Sequence, residues 1–502
     1  MIEKVYTFLW GDLVKIPLPG GSTLGISLLI LLLIPTGIYF TIRTKLLPIR
    51  LFPDMVRALS EKKSDKNNLS AFQTLIVSTA TRVGMGNLVG VVAAISAGGA
   101  GAVFWMWITA LIGSSTAFIE ATLAQLYKEK DPLYGGYRGG PAYYIHRYWE
   151  EKQGRKRKKV LLSVLFAISG LICWCGISQV ISNSVTASFK NAFDIPPLYT
   201  TIVLVVIAAV IVLRKNATVK VLDLLVPVMA VLYMVVVLLL IILNFTRIPY
   251  FFGSVFAGAF KPDAFFGGVF GTVLAQGVKR GLMSNEAGQG TITMSAAAAD
   301  AKHPCEQGVI ASLGVFLDTI VICTLTGFVV VMAHCWTGAD AESWQALDKL
   351  PKYTESIAVL TPGTAMNGIV TFLVTLCFCL FAFTCLLGMI SFSEIAANRI
   401  RKDKICINFV RCIGLFVAAF GILCNIAGLE LGNLWAFSDL GNILIVFFNV
   451  PIVYVGAKYV FRATRHYKKN DGTPFTSEVI GRNDCAYWDE QAKKAVKNFS
   501  GK

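Results

Sequence analysis

The chain has 502 residues, of which 55% are hydrophobic and 15% charged, and its mean hydropathy is +0.63. That leaves too little polar surface to cover a soluble globule of this length, so the composition excludes that class and points to a chain that crosses a bilayer repeatedly. A net charge of +16 raises nucleic acid as a partner, but Lys and Arg gather in every second loop, the pattern that orients a chain in a membrane.

A helix needs about 20 apolar residues to cross the hydrocarbon. Runs of that length lie at 21–42, 71–98, 101–127, 160–189, 198–213, 219–245, 264–299, 305–336, 354–398, 407–428 and 432–461, eleven in all. The expectation is an all-α membrane protein with eleven transmembrane helices. The first run lacks an A-x-A-like cleavage site and reads as a retained helix, not a signal peptide. Assigning the loops alternately to two sides puts the basic stretches 43–66, 128–159, 214–220, 399–404 and 458–502 together. This predicts a multi-pass cell-membrane protein with its amino terminus outside and its carboxyl terminus in the cytoplasm. The run Arg155-Lys156-Arg157-Lys158-Lys159 is accounted for as an orientation signal touching anionic headgroups of the lipid bilayer.

Two apolar runs are interrupted by related hexapeptides, Arg82-Val83-Gly84-Met85-Gly86-Asn87 and Arg280-Gly281-Leu282-Met283-Ser284-Asn285, in which Arg, Met and Asn recur at the same spacing. Backbone within a bilayer must be satisfied by protein or by a cavity, so paired breaks predict two discontinuous helices around a transport site. The ten helices after the first divide into two sets of five. An odd number of crossings per set makes the second enter from the opposite side, so the halves are expected to be inverted repeats. The parts are then 1–70 (an extra helix and a cytoplasmic loop), 71–245 and 264–461 (the two repeats), and 462–502 (a cytoplasmic tail). In the basic inner loop 128–159, the Gly and Pro of 134–141 predict turns followed by a short interfacial helix over 143–151.

Twelve cysteines are scattered through mostly apolar runs without a C-x-x-C pair, and the four His residues are far apart. No metal-ligand or Ser-His-Asp spacing is visible, which argues against an enzyme and a resident cofactor.

Three stretches resemble the signatures of the alanine-or-glycine:cation symporter family: Thr81-Arg82-Val83-Gly84-Met85-Gly86-Asn87, Gly139-Gly140-Pro141-Ala142-Tyr143-Tyr144-Ile145, and Arg280-Gly281-Leu282-Met283-Ser284-Asn285-Glu286-Ala287-Gly288. With the helix count, the resemblance covers nearly the whole chain. It implies a leucine-transporter-type fold of five plus five helices and sodium-coupled uptake of a small neutral amino acid, alanine or glycine, by alternating access. Glutamine or another larger neutral amino acid, a proton in place of sodium, and an ion channel are the alternatives.

Candidate site residues follow from the breaks. A half-helix starting near Asn87 directs free N–H groups at a substrate carboxylate, and Gly84, Met85 and Gly86 let the backbone approach it. Carbonyls around 277–281 are expected to receive the ammonium group, and Ser284 to cap the next half-helix at Glu286 or Ala287. Gln179, deep in an apolar run, should face the bundle interior. The resemblance implies that it contacts substrate, and an interhelical hydrogen bond explains it equally well. Met283 stands where the family more often has an aromatic residue, a change that softens the pocket and admits larger substrates. By resemblance, the coupling ion is sodium, held by the carbonyls of Ala80, Val83 and Phe381 and the hydroxyl of Thr384, with Cys385 where a second hydroxyl is usual. Back-bonding within its own helix is the other reading of Thr384. Phe381, with Phe378 and Phe383, is a candidate to shape or close the substrate pocket, and simple packing at helical spacing is the other reading. Arg82 needs a partner at that depth, with Glu120 and Glu286 as candidates, and Arg280 beside Lys279 poses the same question in the second half. A fixed cation at Arg82 can stand in for a second sodium. Asp318 and Glu394 are candidate gate or relay groups, and solvation at a helix end explains Glu394 equally well.

Overall fold

The computed structural model describes residues 13–17, 23–60, 69–84, 86–131, 136–214, 217–260, 270–338, 340–347, 349–426, 432–469 and 473–500. These are mostly helical, because a helix satisfies its own backbone where lipid offers no partner. The first helices are α1 (Leu28–Arg43), α2 (Ala71–Arg82), α3 (Val91–Gly98), α4 (Gly101–Leu126), α5 (Pro141–Gln153), α6 (Leu161–Phe193), α7 (Pro197–Val212) and α8 (Ala217–Leu243). After α9 (Ile248–Phe260) come α10 (Phe270–Asn285), α11 (Thr293–Ala298), α12 (Pro304–Val315), α13 (Thr324–Ala333) and α14 (Lys349–Leu360). The chain continues with α15 (Thr364–Ile400), α16 (Lys404–Ile426), α17 (Gly432–Lys469) and α18 (Ala486–Ser500).

Among the described residues six helical spans are individually long and apolar enough to cross a membrane, and the bent pair α2–α3 makes a seventh. Helices α1 and α7 are apolar but shorter. Apolar side chains stand exposed along one face of α7 (Val203, Val206, Val210) and of α8 (Leu224, Val228, Val231, Val235). In water such stripes would aggregate, whereas in a bilayer they are the lipid face. Helix α6 packs against α15, α16 and α17, while α4 packs on α10 and α12.

The first break falls where the sequence places it. Helix α2 opens with a capping box, Ser70 and Gln73 each bonding the other's backbone N–H, and stops at Arg82. A π-helical turn, Gly86–Gly90, leads into α3, whose course is bent by 53° from that of α2. Met85 lies outside the described residues.

The second break is displaced from its predicted position. Helix α10 runs unbroken through the whole hexapeptide to Asn285, so the carbonyls of 277–281 keep their helical setting. Its glycines serve close packing instead. A Cβ on Gly277 would run into the Ala102 carbonyl of α4, and one on Gly281 into Thr109 and, at 3.2 Å, the Met106 Cα. The chain turns after Asn285, with Glu286, Gly288 and Gly290 at φ of 55°, 89° and 80°, before α11 resumes. Gly139 and Gly140 lie against this short helix, where side chains would strike Ala297 and Met294. Leu69, ahead of α2, forms a parallel bridge with Ala299, just past α11; Leu69 N–H donates to Ala298 at 3.2 Å and Asp300 N–H to Leu69 at 2.8 Å.

The polar tail is docked onto the bundle. The Trp488 indole N–H donates to the Gln125 carbonyl at 2.9 Å, and the Lys128 ammonium donates to the Ala299 carbonyl at 2.9 Å while sitting 3.7 Å from the Tyr487 ring centroid. Arg482 pairs with Glu151 and Asp484, and Arg462 donates to the Ile480 carbonyl at 2.6 Å. Helix α5, longer than predicted, buries Tyr143, Tyr144 and Ile145 in protein.

Candidate binding site between the breaks

A cavity of about 860 Å³, counted to its open mouth, lies between the two broken segments. The first segment lines it with Thr81, Arg82, Gly84, Gly86, Val89 and Gly90, and the second with Arg280, Met283, Ser284, Glu286 and Gln289. Ile177, Val180 and Ile181 of α6, Cys385 and Met389 of α15, and Asn442 of α17 complete the wall. The two breaks nearly touch, since a methyl on Gly86 would rest 3.7 Å from Ser284 Cα.

The sequence-predicted residues separate into wall and support. Gly84, Gly86 and Met283 line the cavity, whereas Asn87 lies behind it. Asn87 Oδ1 accepts the Gly84 N–H at 3.1 Å, and its Nδ2 donates to Asp318 Oδ1 at 2.6 Å. Its amide thus replaces the helical partner that Gly84 has lost. Ser284 does not cap a half-helix: its hydroxyl donates to Asp318 Oδ2 at 2.8 Å, and it is Asn285 Oδ1 that accepts the Ala287 N–H at 3.0 Å. Gln179 stands off the cavity. Its neighbours Ile177, Val180 and Ile181 face inward, and its buried Nε2 has no acceptor among the described residues. Phe381 is likewise behind the wall, edge-to-face on Tyr233 at 5.4 Å.

Around the candidate ion position, the Thr384 hydroxyl donates to the Phe381 carbonyl at 3.0 Å, so these two groups occupy each other by back-bonding. The Cys385 thiol donates to the Thr81 carbonyl at 3.4 Å, which brings α15 against the first break. Because Gly84 N–H turns to Asn87, the Ala80 carbonyl one turn earlier loses its usual helical donor. Val83 is buried and caps α2, with its own N–H on the Thr79 carbonyl at 2.7 Å.

Arg82 is not locked to a carboxylate, contrary to expectation. Nη1 donates to the Ala311 carbonyl at 3.3 Å, and buried Nε and Nη2 have no partner among the described residues. Glu286, Asp318 and Glu120 act on its charge from beyond ion-pairing distance. Glu120 holds the second break from behind, accepting the Gly290 N–H at 3.2 Å and Asn449 Nδ2 at 3.4 Å. Asn449 also donates to the Gly288 carbonyl at 2.9 Å and accepts the Tyr144 hydroxyl. Glu286 accepts the Thr291 hydroxyl at 2.6 Å. Arg280 reaches the cavity wall beside Gly90. Glu394 is ion-paired, with Arg411 donating to both its oxygens at 2.9 Å.

Asn449, Asn442 and Gln289 were missed by sequence reasoning. Polar amides in otherwise apolar runs were the signal for the two asparagines, as for Gln179. Among the described residues there is no group of three or more His, Cys, Asp or Glu placed to hold a metal.

Comparison with known proteins gives this geometry a family. Over 95% of its length the chain is 36% identical to a Bacillus subtilis (strain 168) protein described as "Probable sodium/glutamine symporter GlnT", covering 92% of it. It is 32% identical to the "Sodium/alanine symporter AgcS" of Methanococcus maripaludis, with 89% of this chain and 94% of that one covered. Among solved structures it resembles MhsT in complex with L-phenylalanine, at a TM-score of 0.54 and 14% identity over 86% of this chain and 96% of that one. A manganese transporter of Eremococcus coleocola matches at a TM-score of 0.53 and 10% identity over 86% of this chain and 94% of that one. At such identities these structures speak for the fold alone, which is of the leucine-transporter type. The relatives are transporters and not enzymes. Residues 20–479 match the family described as the sodium:alanine symporter family, and the chain belongs to it.

Proposed function

We propose that this chain is a secondary active symporter of the cell membrane that uses the sodium gradient to import a small neutral amino acid, alanine or glycine, by alternating access. In this reading eleven helices cross the bilayer, the first outside two inverted repeats, with the amino terminus outside and the carboxyl terminus in the cytoplasm. One observation carries it: both broken segments open onto the same cavity. The substrate carboxylate meets the backbone N–H groups that begin the π-helical turn at Gly86, beside Gly84. The ammonium group meets carbonyls of the last turn of α10 after Leu282, whose own carbonyl accepts Gln289 Nε2 at 3.4 Å. Gln179 reaches substrate only if α6 turns during the cycle.

Sodium, a hard cation, takes the carbonyls of Ala80 and Val83 together with the Phe381 carbonyl and the Thr384 hydroxyl, after Thr384 releases its back-bond. Cys385 adds a weak ligand. The Arg82 guanidinium, which makes no ion pair among the described residues, supplies a fixed charge near three carboxylates, so one coupling ion suffices. Linkage requires each state to bind ion and substrate together better than either alone.

Glutamine is the second reading, favoured by Met283, Gln289 and Asn442 on the cavity wall and by the name of one relative. Purified protein in liposomes decides between them, using labelled alanine, glycine and glutamine with imposed sodium or proton gradients. Saturable uptake of one amino acid driven by sodium is expected. Uptake indifferent to both gradients would overturn the proposal.

A further inference from the structure

Asp318 lies in a π-helical segment, Phe316–Cys323, between α12 and α13. It is fully buried and makes no ion pair among the described residues, yet its carboxylate is well supplied with donors. Oδ1 accepts Asn87 Nδ2 at 2.6 Å, and Oδ2 accepts the hydroxyls of Ser284 at 2.8 Å and Thr319 at 2.7 Å. Asn87 in turn accepts the Gly84 N–H. One hydrogen-bonded path therefore runs from the unwound backbone at Gly84, through Asn87 and Asp318, to Ser284 on the last turn of α10.

Three features suggest that this path does more than fill space. A carboxylate is an acceptor only, so it can serve donors from two directions at once, which an amide cannot do without turning its NH₂ toward one of them. Its bonds are charge-assisted, short and directional. The π-helical segment shifts the register of α12 relative to α13 where both breaks approach, a feature often found at functional sites. Asp318 does not line the cavity, whereas Gly84 and Ser284, at the two ends of the path, do.

The geometry points to Asp318 as a positioning residue of the transport cycle, whose single carboxylate ties the unwound turn of the first broken segment to the helix end at the second. Occupancy at one break is then felt at the other, because neither can rearrange while the bridge holds. The inference rests on the proposed symport, in which those breaks hold substrate and ion.

The test is a set of substitutions in the full chain, Asp318→Asn, Asp318→Ala, Asn87→Ala, Ser284→Ala and the doubles, reconstituted in liposomes and also melted in detergent. Asp318→Asn is expected to raise the substrate KM and the sodium half-saturation concentration about tenfold, with the maximal rate changed less than about threefold. Asp318→Ala combined with Asn87→Ala should shift KM little further than Asp318→Ala alone, since both break the same path. Wild-type KM and sodium dependence in Asp318→Asn, or single effects that multiply in the doubles, would overturn the inference. If Asp318→Ala does not fold, the cycle Asn87→Ala against Ser284→Ala gives the same reading. If the wild-type protein transports no amino acid, the symport proposal fails separately. The melting temperatures then decide the bridge: non-additive losses uphold it and additive ones sink it.

Discussion

In the proposed symport, position 385 puts a thiol where oxygen would suit the coupling cation better, and that thiol gives its hydrogen to the Thr81 carbonyl. Replacing it by a hydroxyl offers an oxygen ligand at the same place. A gain the size of one hydrogen bond, about 1 kcal/mol, corresponds to about a fivefold change in affinity. Cys385→Ser is therefore expected to lower the sodium concentration for half-maximal uptake by about that factor, while Thr384→Ala raises it. Sodium titration of initial uptake rates reads both. If neither curve moves, the ion sits elsewhere.

Helix α10 shows how glycine can mislead at the scale of an element. In Gly84-Met85-Gly86 the glycines accompany a real break, but Gly277 and Gly281 sit inside a continuous helix and let the backbone of α4 come close. Gly281→Ala should overpack that contact and cost about 1–3 kcal/mol, read as a lower melting temperature. Equal stability would mean that α4 can retreat. The same ambiguity explains what could be read in advance. The six long apolar spans and the first break were legible because a bilayer leaves few ways to satisfy backbone, and Gly-x-Gly-Asn departs from them sharply, whereas the run 354–398 is divided between α14 and α15. The second break was misplaced because its turn begins at Glu286, a residue with no intrinsic preference for positive φ. The facing of Gln179 was illegible because α6 is apolar on most sides, so periodicity gave no phase. The bridge through Asp318 depends on a π-helical register that no local pattern announces.

At the scale of the whole molecule, the tail closes over the ends of α4, α5 and α17. Removing residues 473–502 should expose the Gln125 carbonyl and loosen Lys128, seen as faster amide hydrogen exchange over 124–130 and 296–300. Unchanged exchange would show that the bundle holds those ends by itself. His303 adds a pH dependence to the same region. Its Nδ1 accepts the Cys305 N–H at 3.1 Å, and burial, then the neighbouring His466, push it down to about 3. An unfolded histidine titrates near 6.5, so the unfolded chain takes up the proton first. The stability His303 contributes is whole above about pH 6.5 and is lost progressively as pH falls toward about 3. Melting temperature should fall over this window more steeply in the wild-type protein than in His303→Asn, which can still cap α12. Parallel curves would remove His303 as the cause.

The Leu69–Ala299 bridge joins the beginning of one interrupted segment to the finish of the other by two backbone hydrogen bonds. A fastening made of main chain is indifferent to side-chain identity, and water can replace it bond for bond. Parting the two strands at that end is thus a short unzipping of a two-rung ladder, which needs no melting of either helix.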